Sequence, residues 1–98
     1  MTSVASIKTL VAQAAQIDEC ELSSARRSTR FSRPRHIAIY LARHVTPHSL
    51  PAIGRLFGNR DHSTVLNALQ RIDEYLAEHP QAKDDAAAIV AVLRKSET

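Results

Sequence analysis

The sequence predicts an all-α domain, a small bundle of helices, and three observations carry that prediction. Among 98 residues, 44% are apolar but only two are Phe, two are Tyr and none is Trp. A core made from such material is one of Leu, Ile, Val and Ala, which suits helices. Two glycines and four prolines leave little from which to build hairpins. Apolar residues also recur with a helical period in nearly every stretch, most clearly at Val65, Leu66, Leu69, Ile72 and Leu76. A chain of this length forms one domain, residues 1–98.

The elements follow in order. Ser3 caps a first helix from Val4 to Gln16, with Val4, Ile7, Val11 and Ala14 on one stripe. Residues 17–24 read as a turn with one short helical piece, in which Cys20 is a small packing residue. No sequence neighbour of Cys20 is cationic, so nothing there would activate its thiol. Residues 25–31 read as a basic surface loop carrying Arg26, Arg27 and Arg30.

Ser32 and Pro34 then open a second helix that runs to Val45, where Thr46 and Pro47 stop it. Ser49 caps a short third helix with Ile53, Leu56 and Phe57 on its apolar face, and Gly58 ends it. Asp61 to Glu78 forms the fourth long segment, and Pro80 opens a last helix over Gln81 to Lys95.

The net charge of +3 is modest, but its placement is not. From Leu22 to Arg60 there is no acid, while that stretch holds eight of the thirteen basic residues, all Arg. Acids gather before it at Asp18, Glu19 and Glu21, and after it at Asp73, Glu74, Glu78, Asp84 and Asp85. One basic and one acidic pole is the footprint of a polyanion partner. A solvated face without a partner is the plainer alternative, but so long an unbalanced run repels itself.

The stretch Gly58 to Leu66 organises the rest. A short helix runs into a glycine turn and then into an amphipathic helix whose first turn is crowded with polar side chains, Arg60 to Thr64. A helix-turn-helix offers its second helix to a major groove in this way. The plainer reading is that Asp61 only caps the helix, with Ser63 and Thr64 solvated beside it.

Other chemistry fits poorly. Asp61, His62 and Ser63 are consecutive, and helical neighbours point about 100° apart, so they cannot line up as a catalytic triad. His44 and His48 have the spacing of a metal pair, but Pro47 breaks the helix between them and no acid is near. Two glycines cannot form a phosphate-cradling loop. The expectation is a non-enzyme without cofactor or metal. A lone cysteine fits a reducing cytoplasm, and from these residues neither a membrane span nor a secretory signal is expected.

Three motifs then converge on one family: residues 33–41, RPRHIAIYL; residues 49–54, SLPAIG; and residues 57–65, FGNRDHSTV. Residues 4–93 resemble the C-terminal DNA-binding domain of the bacterial replication initiator DnaA, whose signature is the last motif. The resemblance implies a six-helix fold similar to that of the Trp repressor and recognition of a DnaA box. It implies that Asp61, His62 and Ser63 meet base edges, that Thr64, Arg35 and His36 bond phosphates, and that Arg27 enters the adjacent minor groove. Leu50 and Pro51 would touch DNA from the supporting helix. Arg43 and Arg60 stand at basic positions near the backbone.

Asn59 replaces the second glycine of the signature, and His36 stands where the family often has Gln. The family's ATPase domain is absent from these residues, so the expected chain binds DNA without hydrolysing ATP, as an excised domain or a free-standing relative. Expected partners are double-stranded DNA and, through replication, full-length DnaA or other replication proteins, in the cytoplasm at the nucleoid. A Trp-repressor-like regulator with a diverged operator is a second reading. A protein-interaction module using the basic face is a third.

Overall fold

A computed structural model describes residues 3–24 and 28–96. Its elements are α1 (Val4–Ala15), a 3-10 segment (Glu19–Ser23), α2 (Thr29–Val45), α3 (Leu50–Leu56), α4 (His62–Glu78) and α5 (Pro80–Ser96). The described residues contain no strand, and the expected all-α class is what forms. The six helical segments are five α-helices and one 3-10 turn, so the sixth helix is shorter and tighter than a bundle member.

Local chemistry sets most boundaries. The Ser3 hydroxyl accepts from the Ser6 N–H at 3.1 Å and starts α1. Gln16 ends it in a left-handed conformation (φ 59°), which lets the Ile17 N–H reach back to the Ala12 carbonyl at 3.0 Å. The Ser49 hydroxyl accepts from the Ala52 N–H at 3.3 Å, and proline sits in the first turn of α3.

One boundary differs from expectation. Helix α2 begins at Thr29, not after Ser32, because the Ser28 carbonyl already accepts from the N–H groups of Phe31 (2.9 Å) and Ser32 (2.8 Å). Pro34 therefore lies inside the helix rather than opening it. There it removes the backbone donor that would reach the Arg30 carbonyl and crowds that carbonyl, a cost that the packing of a helix this long offsets.

The core joins α1, α2, α3, α4 and α5 through Ile7, Leu22, Ile39, Leu41, Ile53, Phe57, Val65 and Leu93, all buried. Four expected packing positions are not in it, and two of them, Cys20 and Leu56 (41% exposed), lie at the surface of the 3-10 segment and of α3. Ala14 is exposed, and Ala12 takes its place beside Val11. Leu66 is 48% exposed, because the buried stripe of α4 is Val65, Ala68, Ile72 and Leu76 and the next residue along points about 100° away.

The connection between α3 and α4 is held backbone to backbone. The Arg60 N–H donates to the Gly54 carbonyl at 2.8 Å, and a Cβ built on Gly54 would lie 2.1 Å from the Arg60 carbonyl oxygen. Gly58 (φ 91°) and Asn59 (φ 56°) make the turn through left-handed backbone. Asn is among the few side chains that adopt it cheaply, which is how the turn survives the loss of a second glycine.

Candidate nucleic-acid interface

The first turn of α4 projects from the packed part of the helix: Asp61, His62, Ser63 and Thr64 are all exposed, and burial begins at Val65. Asp61 is the N-cap. Its Oδ1 accepts from the Thr64 N–H at 2.9 Å and from the Thr64 hydroxyl at 3.0 Å. These bonds, the backbone one foremost, hold its carboxyl below the usual carboxylate range. The plainer reading of Asp61 as a cap is therefore correct in geometry. It leaves Oδ2 and the side chains of His62 and Ser63 facing outward.

Beside the tip, α2 and α4 enclose a groove of about 470 Å³ lined by Ser32, Arg35, His36, Arg60, Thr64, Asn67 and Arg71, with Ile39 and Ala68 also in it. A second recess of about 430 Å³ continues it, sharing Ser32, His36 and Arg71. There the Arg33 guanidinium lies 4.0 Å from the centre of the Tyr75 ring, on which the His79 ring also stacks at 4.0 Å. Glu74 and Glu78 on the far wall mark where the basic path ends.

His36 is the half-buried imidazole of this groove, and its pKa is pushed down to about 4. Burial is the main cause, and the charges of Arg35, Arg71, Arg60 and Arg33 add to it. At neutral pH it is an uncharged ring among cations.

The other expected site residues fall in different places. Arg35 borders the same groove but is only 5% exposed, and its guanidinium bonds are made within the protein. Its Nε donates to the Leu22 carbonyl at 3.2 Å, and its Nη2 to the Glu21 carbonyl at 3.3 Å and the Ser24 hydroxyl at 3.4 Å. Burial and the neighbouring Arg60 charge pull its pKa down. Arg60 is half-buried and donates from Nη2 to the Ser24 carbonyl. Arg43 and Pro51 are exposed at the end of α2 and the start of α3, Leu50 is half-buried, and none of the three lines either recess. Arg27 lies outside the described residues.

Sequence reasoning missed Ser32, Asn67 and Arg71. The signal was there for two of them, because Thr64, Asn67 and Arg71 stand at i, i+3 and i+7 and share one face of α4. Ser32 was hidden by its reading as a cap.

A short helix, a tight left-handed turn and a second helix with a polar projecting tip beside a basic groove define a helix-turn-helix DNA-binding domain. Residues 4–72 match the family model described as bacterial dnaA protein helix-turn-helix, and the chain belongs to that family. It is 40% identical over 92 residues to the chromosomal replication initiator protein DnaA of Psychromonas ingrahamii, which covers 94% of this chain and 20% of that protein. The protein of the same name from Gluconobacter oxydans is 45% identical over 75 residues, 76% of this chain and 15% of its own length. That from Anaplasma marginale is 38% identical over 94 residues, 96% of this chain and 20% of its own. The chain thus spans about a fifth or less of the length of these relatives.

Proposed function

We propose that the protein binds double-stranded DNA sequence-specifically at DnaA-box-like sites, in replication initiation or its regulation, without an ATPase activity of its own. The observation that carries this is the exposed, Asp-capped tip of α4 set beside a groove of arginine, hydroxyl and amide groups. The tip has the donors and acceptors that a major groove's base edges complement, and the groove has those that suit a phosphate.

His62, Ser63 and the outer oxygen of Asp61 read base edges, and Arg27 contacts the adjacent minor groove. Thr64, Asn67, Arg71 and His36 take the DNA backbone, with Arg43, Leu50 and Pro51 supporting from their helix ends. The relatives' printed name, chromosomal replication initiator protein, supports the process. Full-length DnaA and other replication proteins are then the partners, at the nucleoid.

Labelled duplexes carrying a DnaA box or its scramble, titrated across a range of salt, test the proposal. The box is expected to bind tighter, and both affinities to fall steeply with salt as counterions are released. His62→Ala is expected to remove about 1–3 kcal/mol of discrimination. Equal affinity for the two duplexes overturns specific binding and favours the interaction-module alternative.

A further inference from the structure

Three cations from three elements converge on one short piece of backbone. Lys8 of α1 donates from Nζ to the Ser23 hydroxyl at 3.0 Å and to the Leu56 carbonyl, with the same ammonium 4.7 Å from the centre of the Phe57 ring. Arg35 of α2 holds the Glu21 and Leu22 carbonyls and the Ser24 hydroxyl. Arg60, in the turn before α4, holds the Ser24 carbonyl. The contact is close on the backbone side as well, since a Cβ on Gly58 would lie 2.4 Å from the Ser23 carbonyl oxygen.

We infer that Arg60, backed by Arg35 and Lys8, is a positioning residue that clips the segment 21–24 to the helix-turn-helix turn and so fixes the angle at which the tip of α4 meets DNA.

This rests on the DNA-binding function proposed above and assigns Arg60 a different task from the backbone contact that its sequence position implies. The Arg60 guanidinium turns one edge inward, with Nη2 on the Ser24 carbonyl and Nε buried without a hydrogen-bond partner, although the residue also borders the groove beside the tip. A buried donor edge cannot reach a phosphate outside the domain. Arg60 also touches the tip through the main chain: its N–H is tied to the Gly54 carbonyl, and Asp61, the cap of α4, is the next residue. Moving Arg60 therefore moves the base-reading residues.

The two tasks leave different signatures in salt. Losing a phosphate contact lowers the slope of log affinity against log salt by about 0.9 and weakens binding to every sequence alike. Losing a clip leaves the slope and the scramble affinity in place and lowers only the preference for the box.

The experiment measures both quantities for the wild type, Arg60→Gln and Arg60→Lys, at a temperature where circular dichroism shows each variant folded. The expected result is an unchanged slope and a roughly tenfold or greater fall in the box-to-scramble ratio for both variants, charge notwithstanding. A slope that drops for Gln and is restored by Lys overturns the inference.

The wild type supplies a second measurement that no unfolding can spoil. The Arg60 Nε–H, followed by 15N NMR, is expected to exchange slowly in the free protein and to keep its shift when box DNA is added. Rapid exchange, or a large shift on DNA binding, overturns the inference. Should the wild type itself fail to prefer the box, the function proposed above falls, while slow exchange of that Nε–H still supports the inward placement of the guanidinium edge on which the clip depends.

Discussion

At the scale of single residues, the site depends on groups whose environments differ from their appearance in sequence. His36 is a phosphate contact by resemblance, yet its pKa of about 4 follows from burial among four arginines. The sign follows directly. An imidazole whose folded pKa lies below its unfolded value near 6.5 takes up a proton in the unfolded chain first. Stability is therefore full above pH 6.5 and falls as the pH drops from there toward 4. Discounted for the half exposure of the ring, the loss is on the order of 1 kcal/mol. Denaturant unfolding of the wild type and His36→Gln at pH 7 and pH 5 measures it, with the variant losing less. A His36 midpoint near 6.5 in an NMR titration would show the arginine field to be ineffective.

Asp61 has two tasks that one substitution separates. Asp61→Asn keeps a side-chain oxygen for the Thr64 N–H but replaces the outer acceptor with a donor. The expected outcome is a melting temperature near that of the wild type with an altered base preference, read by a panel of single-base-pair box variants. An unchanged preference would leave Asp61 as a cap and nothing more.

At the scale of elements, helix identity was legible and helix entry was not. Periodicity placed α1, α3, α4 and α5 to within a residue or so of their ends, because caps and apolar stripes are local signals. The start of α2 was missed because Ser28 and Ser32 are equally good caps on paper, and only the N–H groups satisfied by the Ser28 carbonyl decide between them. Leu66 was misplaced for a related reason: adjacent apolar residues leave the face of a helix undetermined until neighbours choose it. Arg35 could not be told from the exposed arginines around it, since burial of a cation requires carbonyl partners from a distant segment.

The α3–α4 turn is the element where backbone conformation is most constrained, and it makes its own prediction. Gly58→Ala would place a methyl group 2.4 Å from the Ser23 carbonyl oxygen on backbone at φ 91°. Strain of that type costs of order 1–3 kcal/mol, and here it adds to a clash with main chain that has little room to yield. Asn59→Gly, at φ 56° in open surroundings, should change stability by less than about 0.5 kcal/mol. Urea unfolding of the pair distinguishes the positions. Equal effects would mean that the segment 21–24 gives way and does not brace the turn.

At the scale of the whole molecule, the question is whether the helix-turn-helix stands alone or depends on the helix beyond it. The family match ends at residue 72, yet α5 contributes Ala86 and Leu93 to the buried core and packs Ile89 and Val90 against it. Leu93 is 4% exposed, so Leu93→Ala should cost about 2–5 kcal/mol. A domain of this size has roughly 5–15 kcal/mol of stability in all, so that is a large share. If the bundle is one cooperative unit, the loss appears everywhere at once. Far-ultraviolet circular dichroism and tyrosine fluorescence, the latter reporting Tyr40 on α2 and Tyr75 on α4, should then shift together to lower denaturant with an unchanged slope. DNA affinity under folding conditions should stay at the wild-type value, because Leu93 lines neither recess beside the tip. An early transition in circular dichroism alone would mean that α5 melts by itself. Residues 4–72 would then be a self-sufficient binding unit, with the last helix an appendage to the site rather than part of what holds it in shape.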